Sequence, residues 1–160
     1  MRLPDHLTGR WIEFTALGAL EVHDLLKLRQ DVFIVEQASL FADIDGKDPE
    51  ALHFLIQETE SGQETGRGAI AGAIRLFTDK EAGEARIGRV VIAPQARGLG
   101  LGRFLMRAGI EKARELVPGC RILLSAQTYL EEFYRSFGFE TVSEIYIEDG
   151  IPHVDMVRKG

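Results

Sequence analysis

One short run of glycines constrains this chain more than any other feature. Val90-Val91-Ile92 is β-branched and suits a buried strand, and Pro94 stops it. Downstream, Leu101, Phe104, Leu105, Ala108, Ala113 and Leu116 recur at three- and four-residue steps, which predicts a helix over Leu101 to Val117 that Pro118-Gly119 closes. Between strand and helix lies Arg97-Gly98-Leu99-Gly100-Leu101-Gly102. Three missing side chains let the backbone approach a ligand closely. The amides of a first helical turn have no acceptor within the helix, and the helix dipole adds partial positive charge. A diphosphate is the natural guest of such a turn, with Arg97 and Arg103 adding fixed charge. A nucleoside-triphosphate loop would end in Gly-Lys-Ser/Thr, where this one has Gly102-Arg103-Phe104. The dinucleotide fingerprint fits poorly, because the spacing is G-x-G-x-G and an acidic residue about 20 positions on is replaced by Gly119-Cys120-Arg121. A glycine turn with no ligand stays open at this point.

The rest of the chain supplies an ordinary setting for that loop. Its 160 residues suit one domain, taken as 1–160 with a core of about 11–157. A hydrophobic fraction of 45% is enough for a core without staples. The formal net charge of -6 argues against a nucleic-acid partner. The one cysteine, Cys120, fits a reducing compartment and reads as a passive half-buried thiol. No apolar run approaches the roughly 18 residues of a membrane helix, and Met1 to Arg10 has no leader-like apolar region. A cytoplasmic protein without membrane contact is therefore expected.

Trp11 to Thr15 reads as an edge strand, and Leu25, Leu28, Val32 and Val35 mark a helix over Leu20 to Val35. Ala38 to Glu50 is acidic and irregular. Strands are predicted at Leu52 to Gln57, Ala69 to Phe77, Glu84 to Ile92 and Arg121 to Ala126, with the polar stretch Glu60 to Gly68 as a connection. Tyr129 to Phe137 reads as a helix closed by Gly138. Asp149-Gly150 between Glu144–Glu148 and Ile151–Val157 predicts a hairpin. Strand Glu84–Ile92, helix and strand Arg121–Ala126 form a βαβ unit, hence a parallel pair in an α/β (α+β) fold.

With these elements in place, Val90 to Gly102 resembles the hallmark of the GNAT N-acetyltransferases, a hydrophobic strand followed by Q/R-x-x-G-x-G/A, with Arg97, Gly100 and Gly102 at the defining positions. Gln127, seven residues before Tyr134, and Phe133-Tyr134-Arg135-Ser136-Phe137-Gly138-Phe139 resemble the family's second hallmark. Val32 to Gln37, Asp43 to Asp48, Ile87 to Val90, Leu124 to Gln127 and Glu148 to His153 look like its ElaA-like branch, and the likeness runs from about Trp11 to Met156.

The resemblance implies a mixed sheet of about six to seven strands with a splayed parallel pair and about four helices. It implies transfer of an acetyl group from acetyl-CoA, as co-substrate and without a metal, to a primary amine of a small molecule or peptide in a ternary complex. Pantetheine would pair with Val90, Val91 and Ile92. The amides of Gly98, Leu99, Gly100, Leu101, Gly102 and Arg103, beside Arg97, would hold the pyrophosphate, and Gln127 would contact the carrier arm, where the family often has asparagine. Tyr134 would be the general acid that protonates the leaving thiolate. The family's usual base, a glutamate on the strand that ends at the loop, has no counterpart, since Glu84 sits at its far start. Glu36, His53 and His153 are the alternatives, with Glu36 placed where the family builds an acceptor wall and His53 counted, with Arg75 and Arg89, among the acceptor-binding residues.

Residue alternation puts Ile87, Arg89 and Val91 on one face of their strand. A charged residue there needs a partner. Arg89, with Arg75 on the neighbouring strand, therefore pairs either internally, with Glu36 or Asp43, or with an acceptor's acidic group. Asp43, Asp45 and Asp48 read as a solvated turn or as a lure for a cationic amine, and the glutamate of a calcium loop is missing. Two further classes stay open: a non-catalytic acyl-CoA-binding or sensor domain, and a homodimer formed through the C-terminal hairpin edge.

Overall fold

A computed structural model of the chain describes residues 2–59 and 68–160. The expected connection Glu60 to Gly68 lies outside the described residues, Gly68 excepted. The strands are β1 (Leu7–Glu13), β2 (Leu52–Glu58), β3 (Ile70–Asp79), β4 (Glu84–Ile92), β5 (Arg121–Gln127), β6 (Glu140–Thr141), β7 (Tyr146–Glu148) and β8 (Ile151–Arg158). The α-helices are α1 (Ala19–Arg29), α2 (Leu101–Leu116) and α3 (Glu131–Arg135). Among the described residues the eight strands form one mixed sheet in the order β1-β2-β3-β4-β5-β8-β6, with β7 also paired to β8. That is one strand more than expected, because the two-residue β6 is too short to leave a periodic signal.

Parallel pairing of β4 with β5 covers Glu84↔Arg121 to Arg86↔Leu123. Beyond it β5 runs antiparallel to β8, from Ile122↔Arg158 to Gln127↔His153. Farther along β4, Arg89 adopts a left-handed backbone at φ 51°, a conformation that disfavours side chains with a Cβ and marks a break in the regular ladder. The parallel pair expected from the βαβ unit is thus present.

Two compact units divide the chain: Met1–Arg75 with Arg89–Leu105, and Leu76–Gly88 with Met106–Gly160. The first is built on Leu25, Leu28, Leu55, Ile56, Ile74, Val91 and Leu105, all buried. The second is built on Leu76, Ile87, Met106, Ile110, Ala113, Ile122, Phe139, Val154 and Met156.

Two helices differ from expectation. The helix after β1 keeps α geometry only to Arg29, and Gln30–Glu36 then forms a wide helical turn. Its amides reach back five residues, Gln37 N–H to Val32 O at 3.2 Å and Ser39 N–H to Ile34 O at 3.2 Å. The wider turn shifts the phase of the apolar stripe, so Val32 stays buried while Val35 is 66% exposed. The helix expected over Tyr129 to Phe137 is a tight turn, Thr128–Leu130, followed by α3. The hairpin forms as expected, with Glu148↔Ile151 in register and positive φ at both Asp149 and Gly150, the combination that a two-residue type I′ turn requires.

Candidate active site

The glycine loop lies in the first unit. A short turn, Pro94–Ala96, carries the chain from β4 to Arg97, and α2 begins at Leu101. Gly98 and Gly100 take positive φ, 84° and 74°. Among the described residues nothing comes within 4 Å of a Cβ built on either one. The glycines are there for backbone conformation, and the space over the loop is open. The first helical bond across its end is Phe104 N–H to Gly100 O at 3.2 Å, so the amides ahead of Phe104 precede the helical ladder. Arg97 through Gly100 are exposed. The loop therefore fits the diphosphate of an acyl-CoA: an open, left-handed backbone at the start of a 16-residue helix. On β4, Val91 is buried, while Val90 and Ile92 are half-buried.

Arg97 has a partner that the sequence does not announce. Its guanidinium grips Glu36 through two bonds, at 2.7 and 2.8 Å. Glu36 is thus not the partner of Arg89. The Arg97 bond holds the Glu36 carboxyl below its usual value, the reverse of what a base for an ammonium ion needs.

Arg89 and Arg75 lie in the first unit within a buried ion network. At its centre is Arg29, 1% exposed. Its Nε donates to Asp43 at 2.9 Å, and its terminal nitrogens donate to Asp48 at 2.8 and 3.2 Å and to the Asp43 carbonyl at 3.0 Å. Arg75 donates to Asp45 at 2.6 and 3.1 Å and to Asp48 at 3.0 Å. Arg89 donates to the Asp43 carbonyl at 3.2 Å, and its guanidinium lies 5.6 Å from the Phe41 ring centre. Arg89 Nε stands 2.8 Å from Asp43 Oδ1, yet the two atoms do not align as a hydrogen bond. Burial pulls Arg75 down, but its bonds to Asp45 and Asp48 leave it above its ordinary pKa. Burial pushes Asp48 up, and Arg29 and Arg75 outweigh it, so its carboxyl sits low. Asp45 is held far below the carboxylate range, chiefly by Arg75.

The solvated-turn reading of this loop is therefore corrected. Asp43 and Asp48 are each 3% exposed and committed to arginines. Arg29 was invisible as a site residue, although a signal existed: it stands four after Leu25 and three before Val32, an arginine in the core phase of the helix. His53 is 1% exposed, and its Nε2–H donates to the Asp48 carbonyl at 3.0 Å. Burial holds it below its usual pKa, hence neutral.

The second unit carries the other hallmark. Tyr134 sits in α3 at 8% exposure, its ring edge-on to Phe133 at 5.2 Å and to Phe139 at 6.3 Å. Burial, with a smaller contribution from Tyr129, pushes its phenol up to about 12, so it keeps its proton. Gln127 ends β5, half-buried, directly across from His153 of β8. Cys120 is more buried than expected, at 1% exposure. Among the described residues no helix is long and apolar enough to cross a membrane.

Known proteins fit this geometry. The profile of the Acetyltransferase (GNAT) domain matches residues 35–159. Protein ElaA of Escherichia coli is 35% identical over 150 residues, covering 92% of this chain and 94% of ElaA. The crystal structure of that protein superposes with a TM-score of 0.81 at 32% identity, over 95% of this chain and 99% of the other. An acyl-CoA N-acyltransferase from Pseudomonas aeruginosa gives a TM-score of 0.81 at 34% identity, with the same coverage. The open glycine loop after β4, the tyrosine of α3 and these similarities lead to one conclusion: the chain belongs to the GNAT acetyltransferases, in their ElaA-like branch.

Proposed function

We propose that this protein moves an acetyl group from acetyl-CoA to a primary amine, by direct transfer in a ternary complex, as one N-acetyltransferase domain. The observation that carries the reading is the open left-handed loop at Gly98 and Gly100, ahead of the α2 amides. Those amides, with Arg97 and Arg103, hold the pyrophosphate. Val90, Val91 and Ile92 offer backbone to the pantetheine arm, and Gln127 a polar side chain. The similarity to a P. aeruginosa acyl-CoA N-acyltransferase supports the donor class.

Tyr134 acts as the general acid. Its buried phenol is protonated across the physiological range, so a proton is available when the C–S bond breaks and thiolate forms. Glu36 is in this reading the exchangeable counter-ion of Arg97 and not the base. Arg75, Arg89 and His53 hold the Asp43–Asp48 loop in place and do not bind the acceptor.

The test is an amine panel with acetyl-CoA, reading free CoA. The wild type should release CoA with at least one amine. Tyr134→Phe should bind acetyl-CoA as the wild type does and turn over about 10²- to 10⁴-fold more slowly, the range for one positioned acid. Equal turnover would remove Tyr134 from the chemistry.

A further inference from the structure

The second unit holds a group of polar side chains that the acid step does not use. β5, β8 and β7 lie side by side, and their register sets Gln127 across from His153 and His153 across from Tyr146. Ser125 lies across from Asp155 in the same β5–β8 pair. Directly opposed residues share a face, so Ser125, Gln127, His153, Asp155 and Tyr146 line one side of the sheet.

Within that group His153 is held as a positioned base would be. Its Nδ1 lies 2.7 Å from the Ile151 carbonyl oxygen. A carbonyl only accepts, so Nδ1 carries the hydrogen and the neutral ring keeps its lone pair on Nε2. The ring stacks on Tyr146 at 6.0 Å and 22°. Tyr146 is itself fixed, because its hydroxyl donates to Asp155 Oδ1 at 2.6 Å, where Ser125 also donates at 3.3 Å. Nε2 faces Glu148 Oε2 at 3.6 Å. A lone pair and a carboxylate at that distance do not bond to each other, and both would accept from a cation placed between them. An ammonium group has the required donors. The histidine is 9% exposed, whereas the Glu148 side chain is about half exposed, so the carboxylate meets solvent first and the imidazole waits behind it.

Resting on the acyltransfer reading above, we propose that His153 is the catalytic base for the acceptor and that Glu148 draws the acceptor's ammonium group to it. His153 Nε2 takes one proton from R–NH₃⁺, leaving R–NH₂ and an imidazolium held between the Ile151 carbonyl and Glu148. The amine lone pair forms the C–N bond to the acetyl carbon, and the C–S bond then breaks. The thiolate takes the Tyr134 proton, and the second proton that nitrogen sheds restores the phenol. The imidazolium releases its proton to solvent after the amide leaves. The substrate class is a primary amine that is protonated at neutral pH.

The test compares two acceptors: an alkylamine, charged at neutral pH, and an aromatic amine or hydrazide, already neutral. His153→Asn keeps an N–H for the Ile151 carbonyl and removes the Nε2 lone pair. It should cut kcat/KM for the alkylamine by about 10²-fold or more. The loss for the neutral acceptor should be small, with acetyl-CoA binding and melting temperature unchanged. Glu148→Gln, at the surface, should raise KM for the charged acceptor only, and it reads the same proposal if His153→Asn folds poorly. Equal losses on both acceptors, or no loss on either, overturn the assignment. A wild type that turns over while both variants match it overturns this inference alone. A wild type that binds acetyl-CoA but acetylates no amine overturns the transfer reading as well.

Discussion

The buried arginines around the Asp43–Asp48 loop and the exposed arginine of the glycine loop use the same side chain to opposite ends. Arg29 and Arg75 are 1% and 5% exposed, and their guanidinium groups are committed to aspartates. Arg97 is exposed and bound to one carboxylate at the surface, Glu36. The aspartates that pair with Arg29 and Arg75 cannot be withdrawn cheaply, because a buried charge without its partner is costly. Arg97 gives up little by exchanging Glu36 for another anion, since exposed pairs contribute little. Residue type does not separate scaffold from binding loop here. Burial and the permanence of the partner do.

The hardest way to break that contrast is to remove the central cation. Arg29→Met should cost about 3–5 kcal/mol of unfolding free energy, the range for breaking a buried pair, read by urea denaturation. A loss near that of a surface substitution would mean that the network contributes nothing of the kind. The same network sets an acid limit. Asp45 and Asp48 have depressed folded pKa values, so the stability they contribute is fully present above the unfolded aspartate value of about 3.9. It is lost as pH falls below that value toward the folded ones. Melting curves from pH 6 down to pH 2 should show that loss, and it should be smaller in Arg29→Met.

Arg89, at the rim with 24% of its side chain exposed, sharpens the contrast with a smaller effect. Arg89→Ala should lower the melting temperature and leave acceptor KM unchanged. A raised KM with normal stability would move Arg89 from the scaffold to the acceptor site. The smallest effect belongs to Glu36→Gln. The melting temperature should not move, and acetyl-CoA should bind slightly tighter, because Arg97 no longer has a competing carboxylate. Weaker binding would place Glu36 in the site in some other way.

Much of this was legible in the chain of letters. Strand β4, the glycine loop and α2 were readable because periodicity and left-handed positions leave local signals: a β-branched run, an apolar stripe, glycines at Gly98 and Gly100. The hairpin was readable for the same reason, since Asp149 and Gly150 both need positive φ. The ion network was not. Asp43, Asp45 and Asp48 look like an ordinary polar turn, and their burial depends on arginines 14 to 46 positions away in the chain. Nor could the wide turn after α1 be seen, because its five-residue bonds rearrange a stripe that still looks helical on paper. Glu36 and Arg97, 61 positions apart, share no local pattern. Arg89 was half legible: the need for a partner followed from its place on β4, while the choice of Asp43 over Glu36 did not.

The central claim is that the Arg97–Gly102 loop holds the diphosphate of an acyl-CoA, and calorimetry with acetyl-CoA tests it most directly. Gly100 has φ 74°, so any side chain there costs about 1–2 kcal/mol of backbone strain. Gly100→Ala carries that strain without charge, and Gly100→Glu adds a repelling carboxylate. The expected result is saturable binding of one acetyl-CoA per wild-type chain, weakened in Gly100→Ala and abolished in Gly100→Glu. A wild-type chain that gives no isotherm with acetyl-CoA, succinyl-CoA or CoA, or a Gly100→Glu chain that binds as the wild type does, would contradict it.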